Sequence, residues 1–153
     1  MSGRTANLST FVIERDYDHP PQRVFYAWSN RDAKFRWFAS APGWETREYS
    51  FDFREGGREI WRGGPLGGGV HANNTLYWDI VPDERIIFSY DMRVGDKRIT
   101  VSLATVEFHP SGKGTRLVYS EQIIFLDGAD HPVEREQGTR ELLENLAAEL
   151  QHH

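Results

Sequence analysis

The last long stretch of the chain, Val133 to Leu150 (VEREQGTRELLENLAAEL), constrains the fold most. Leu142, Leu143, Leu146, Ala147 and Leu150 recur at helical spacing and make one apolar stripe. Glu141, Glu144, Asn145 and Glu149 fall on the opposite side. Pro132 suits a first helical position, and Asp130 or His131 is placed to cap it. About eighteen residues at 1.5 Å each give a rod of roughly 27 Å. Such a helix must lie on something, and most of the chain before it reads as β-sheet.

The 153 residues suit one domain with its own core. Residues 1–9 read as a polar, flexible N-terminus, and 10–151 as a single domain. Thr10 to Tyr17 is a strand by its β-branched and aromatic content. His19-Pro20-Pro21 breaks it and pre-sets a helix over Gln22 to Ser29, with Val24, Phe25 and Trp28 on one face. Ala33 to Phe38 reads as a second short helix. From Trp44 the period changes to two. Strands are expected at Trp44–Arg54, Arg58–Arg62, Val70–Val81, Arg85–Arg93, Lys97–Phe108 and Thr115–Phe125, with Gly63–Gly69 a glycine-rich hairpin tip. The pattern is α+β: an antiparallel sheet of about seven strands, short helices after the first, and a long helix covering one face.

One strand carries two readings. In Lys97–Phe108, Ile99, Val101 and Leu103 share one parity, whereas Val106 and Phe108 share the other. A bulge near Ala104-Thr105 would reconcile them and is the more usual explanation. Alternatively Thr100, Ser102 and Ala104 face inward throughout, and their small side chains leave a hollow.

Composition excludes several functions. The net charge is -5 and the pI about 5.7, with acids and bases interleaved, which argues against nucleic acid or anionic membrane as partner. There is no cysteine, so thiolate metal sites and disulfides are ruled out. No leader-like apolar run opens the chain and no stretch is long enough to span a membrane, so a cytoplasmic protein is expected. His19, His71, His109, His131, His152 and His153 form neither HxH nor HExxH, so no metal and no other cofactor is expected. The GGPLGGG run lacks the Lys-Ser/Thr ending of a phosphate loop. No nucleophile elbow or carboxylate pair at fixed spacing is found, so no catalytic residue is assigned.

Several motifs then come in a fixed order: Pro20-Pro21-x-x-Val24-Phe25, Trp37-Phe38, Phe51-Asp52-Phe53-Arg54-x-Gly56-Gly57, Pro82-Asp83-Glu84-Arg85-Ile86, Gly114-Thr115-Arg116-Leu117, and the Gly138 to Leu150 helix. From about Thr10 to Leu150 the chain resembles the family named after the activator of the heat-shock protein 90 ATPase, in its C-terminal-domain type, within the START-like (SRPBCC, Bet v 1-like) superfamily. The resemblance implies a helix-grip fold, a curved sheet wrapped around the C-terminal helix with a cavity between. It implies a small, largely apolar ligand (a lipid, polyketide or aromatic metabolite). The family name alternatively brings a chaperone partner and a stress-response role, and other superfamily members are cyclase- or hydrolase-type enzymes. The helix of the family often begins Gly-Trp; here it reads Gly138-Thr139, so the cavity is expected to be larger.

Glu121 is the first candidate for chemistry. It follows Leu117 and Tyr119 on the inner parity of the last strand and is expected to meet Arg135 or the open rim. Aromatic candidates for the cavity wall are Trp28, Trp61, Trp78, Phe88, Tyr90 and Tyr119, with Trp44 in the same group. Thr139 and Leu142 are their partners from the helix. Asp79 and Asp91 read as outward positions, and His71 as a rim residue. The chaperone alternative needs an exposed apolar or charged patch on the outer sheet face or the short helices, with Phe35, Trp37 and Phe38 the first place to look. A homodimer is a further open alternative.

Overall fold

The computed structural model describes residues 3–129 and 131–152. Asp130, one of the two expected caps, and the closing His153 lie outside them. Seven strands make a single antiparallel sheet: β1 (Ala6–Tyr17), β2 (Trp44–Phe51), β3 (Arg58–Pro65), β4 (His71–Val81), β5 (Arg85–Val94), β6 (Lys97–Ser111) and β7 (Gly114–Leu126). Their spatial order is β1-β7-β6-β5-β4-β3-β2, so the sheet is open and β1 and β2 are its edges. Between these two run α1 (Pro21–Ser29), α2 (Arg31–Lys34) and a π-helical turn at Phe35–Ala39. The long helix α3 (Pro132–His152) closes the chain. The α+β helix-grip architecture is therefore the observed one.

Local chemistry explains the boundaries. Pro21 stands in the first turn of α1, where its missing N–H costs nothing, and the Pro20 carbonyl accepts from the Val24 amide at 3.1 Å. Asn30 caps α2, its side-chain oxygen accepting from the Ala33 amide at 3.0 Å. The first strand starts at Ala6, not Thr10, because Ala6–Ser9 pair in register with Leu126–Ile123. The expected flexible segment 1–9 is corrected over those four positions. β3 runs on to Pro65, so Gly63 and Gly64 belong to the strand rather than to the hairpin tip. A Cβ at Gly63 would run into the Glu45 carbonyl of the neighbouring strand.

The expected bulge near Ala104-Thr105 does not exist. Pairing of β6 with β7 is continuous from Thr100 to Ser111, and Thr100, Ser102, Ala104, Val106 and Phe108 all face inward and are buried. Val101 and Leu103 lie on the outer face, 40% and 43% exposed. Antiparallel pairing on both sides holds the strand in one phase, and the inward small residues are the sheet's own choice. The irregularities lie elsewhere, between Thr46 and Glu48, between Tyr77 and Asp79, and between Met92 and Arg93.

The core gathers where α3 meets α1 and the β1-β7-β6 side of the sheet. Leu143, Leu146 and Leu150 are buried among Val24, Phe25, Trp28, Ile13, Val106, Phe108 and Leu117. The Tyr17 hydroxyl donates to the Leu143 carbonyl at 3.0 Å. Glu149, expected on the solvent side, is 6% exposed, because Arg36 of the π-helical turn forks onto its carboxylate at 2.8 Å. The clamp thus grips the C-terminal half of α3. Leu146 is fully buried, so Leu146→Ala should lower stability by about 2–5 kcal/mol, read as a shift in the urea midpoint without a change of slope.

Candidate functional site

A cavity of about 410 Å³ lies between the N-terminal half of α3 and the β3-β4-β5 side of the sheet. From the sheet it is lined by Trp61, Asn73, Thr75, Phe88, Tyr90, Met92 and Tyr119. From α3 come Glu134, Arg135, Gly138, Thr139, Leu142 and Leu143; Trp28 of α1 and Trp37 and Phe38 of the π-helical turn close one end. Ala41, Trp44 and Glu134 are its exposed lining residues and mark its mouth. Trp44 there packs on Trp61 and edge-on to His71, with centroids 6.2 and 5.0 Å apart.

Most of the residues singled out from the sequence meet at this cavity: Trp28, Trp61, Phe88, Tyr90, Tyr119, Arg135, Thr139 and Leu142. Trp78 does not. The register slip between Tyr77 and Asp79 turns Tyr77 inward and leaves Trp78 59% exposed, its indole N–H on Ser89 Oγ at 2.8 Å. Asp79 and Asp91 are outward, paired with Arg85 and Arg98 at 2.6 and 2.9 Å.

Glu121 is 1% exposed and sits behind the wall. The Tyr90 and Tyr119 hydroxyls donate to its two oxygens at 2.6 and 2.7 Å. Arg135 does not reach it directly. Its guanidinium donates to Thr100 Oγ1 at 3.1 Å and to the Tyr90 hydroxyl at 3.5 Å. The room above small Thr100, Ser102 and Ala104 is therefore used by this cluster, since Tyr90 pairs with Ser102 and Glu121 with Ala104 across the strands. Thr139, 7% exposed, returns its hydroxyl to the Arg135 carbonyl at 3.2 Å.

A second buried carboxylate was not expected. Glu59 is 2% exposed and accepts from Lys34 Nζ at 2.8 Å, the Tyr49 hydroxyl at 2.9 Å and the Tyr77 hydroxyl at 2.5 Å. Lys34 is 4% exposed and lies over Phe38, Trp28, Trp37 and Phe51, with Nζ 4.4 to 5.8 Å from the ring centres. Both members line the cavity. The signal was present in the sequence: Glu59 shares parity with Trp61, and Lys34 is set among Trp37, Phe38 and Phe35. The Trp28 indole N–H is buried without a hydrogen-bond partner among the described residues. Phe35, Trp37 and Phe38 form no exposed patch. Trp37 is buried with its N–H on the Ala27 carbonyl at 2.8 Å, and Phe35 packs on Tyr49.

Burial, reinforced by the neighbouring carboxylate, pushes the Tyr90 and Tyr119 phenols above the ordinary tyrosine range, as burial and Glu59 do for Tyr49 and Tyr77. Each phenol holds its proton more tightly folded than unfolded. The stability this adds is complete below the unfolded pKa of about 10 and is lost as pH rises above it. In an alkaline titration most phenolate absorbance should appear together with loss of circular dichroism. Most of the phenolate absorbance forming in an intact fold would contradict these clusters. Lys34→Met should cost about 3–5 kcal/mol by urea denaturation, and Lys34→Met with Glu59→Gln less than the two single changes summed.

The comparisons agree with this fold. The model of the family described as "Activator of Hsp90 ATPase homolog 1-like protein" matches residues 18–151. The Mll3558 protein from Rhizobium loti is similar at 48% identity and TM-score 0.89, over 95% of this chain and 99% of that one. A putative uncharacterized protein from Rhizobium leguminosarum is similar at 43% identity and TM-score 0.94, over 98% and 99%. An AHSA1-like protein from Aeromonas hydrophila shares the fold at 20% identity and TM-score 0.68, over 95% and 97%. No curated protein matches the chain. Among the described residues, no helix is long and apolar enough to cross a membrane, and no group of three or more metal-ligating side chains comes together.

Proposed function

Since the chain belongs to the Activator of Hsp90 ATPase homolog 1-like family, we propose that it is a cytoplasmic module that binds a small, largely apolar molecule between sheet and helix. The observation that carries this reading is the 410 Å³ cavity under the N-terminal half of α3. Its volume falls in the range of small-molecule sites, and its wall is largely apolar and rich in aromatic rings, with fixed polar groups among them. Apolar burial drives binding, at about 25 cal/mol per Å² removed from water. The polar groups orient the ligand. The partnerless Trp28 N–H on the cavity wall gains a hydrogen bond if a ligand acceptor reaches it.

The buried carboxylates favour anchoring over proton transfer. Glu121 has a tyrosine hydroxyl on each oxygen, and Glu59 is held by three donors. A chaperone-directed role, which the family name brings, finds no support at Phe35, Trp37 and Phe38, because that cluster packs inward.

Thr139→Trp is the direct test, since a ring at this buried lining position occupies the cavity. Nile red fluorescence should rise on adding the wild-type protein, and Thr139→Trp should weaken that binding by at least about tenfold with an unchanged circular dichroism spectrum. Native mass spectrometry of protein taken from its own cells should show a retained small molecule. Equal probe binding by both proteins would sink the reading.

A further inference from the structure

We propose that the cavity selects amphipathic acids, taking an apolar body between its aromatic walls and one carboxylate on Arg135. This rests on the ligand-binding reading above and adds the chemical class of the ligand. The charged lining residues are Lys34, Glu59, Glu134 and Arg135. Lys34 and Glu59 neutralise each other in direct contact at 2.8 Å. Glu134 is largely solvent-facing, with a side chain 81% exposed. Arg135 is different. Among the described residues no carboxylate lies within ion-pair distance of it, whereas Arg15, Arg36, Arg85, Arg98, Arg116 and Arg140 each have one.

What Arg135 does touch holds it in place without spending its charge. Thr100 Oγ1 and the Tyr90 hydroxyl accept from it, and its guanidinium lies over the Phe125 ring at 5.9 Å. These neutral partners pre-organise the fork, and most of its N–H donors remain for a ligand. The buried carboxylate of Glu121 stands on the far side of the Tyr90 hydroxyl. A ligand carboxylate in direct, bidentate contact interacts more strongly than one reached through an intervening hydroxyl. Glu121 and Glu134 also limit the charge the site accepts, so a monoanion is favoured over a phosphate dianion. Met92, Phe88 and Trp61 on the wall then receive the apolar body.

The test uses matched acids and alcohols: naphthylacetate with naphthylethanol, and decanoate with decanol, titrated at neutral pH and followed by tryptophan fluorescence and calorimetry. Each acid should bind the wild-type protein at least about tenfold more tightly than its alcohol. Arg135→Gln should remove that preference, while Arg135→Lys should retain part of it. Alcohols binding as tightly as acids to the wild type would overturn the inference and leave the apolar-cavity reading standing; this comparison needs no variant. An acid preference that survives Arg135→Gln overturns it too. If neither member of either pair binds, the ligand-binding reading falls and this inference falls with it.

Discussion

Everything in this molecule depends on α3 being packed into the core by its C-terminal half. Its C-terminal half is fixed by Leu143, Leu146 and Leu150 in the core, by the Tyr17 hydroxyl and by the Arg36–Glu149 pair. Its N-terminal half faces a space that no side chain fills. A sealed apolar void of 410 Å³, at about 24 cal/mol per Å³, would cost on the order of 10 kcal/mol, close to the whole stability of a domain. The fold tolerates the space because it has a mouth at Ala41, Trp44 and Glu134, so the interior is wetted or occupied. A ligand that displaces poorly ordered water from aromatic walls gains free energy for the same reason.

The buried carboxylates of the site are expensive and fully partnered. Removing Lys34 and Glu59 from water costs several kcal/mol per ion, and their contact offsets this only because two tyrosines and four aromatic rings supply the remaining partners. That arrangement rigidifies one end of the cavity. Glu121 is treated alike, with Tyr90 and Tyr119 in the same roles as Tyr49 and Tyr77. Thus the sheet carries two carboxylates, each fastened by a pair of phenols, at opposite sides of one aromatic chamber. The second cluster lacks a lysine, and Arg135 approaches it only through a hydroxyl.

The architecture was readable because two periods dominate the chain, and both are set by burial. Alternation found every strand, and the leucine stripe found α3. Parity also put Glu121 inside, because Leu117 and Tyr119 flank it on one face. Where reading went astray, a local feature broke the period. Trp78 was assigned inward because alternation does not reveal a slip that depends on pairing with β5. In β6 the opposite happened: apolar Val101 and Leu103 suggested a phase flip, yet neighbouring strands kept Thr100 and Ser102 inside. Lys34 and Glu59 escaped notice because each looks like a solvated charge in its own segment. Only the tertiary fold brings them within 2.8 Å.

The division of α3 also bears on which side chains of the fold can change. Side chains in the clamp cannot change without loss of the core. Those at Arg135, Gly138 and Thr139 lie outside the apolar core and border the cavity. The Thr139 hydroxyl is satisfied by its own helix. Volume can therefore be added or removed at this end without uncovering an unpaired polar group. Charge can be exchanged at Arg135 in the same way, since its protein partners are neutral hydroxyls that accept water equally well. Side chains in the N-terminal half of the helix can thus change while stability is held by the other.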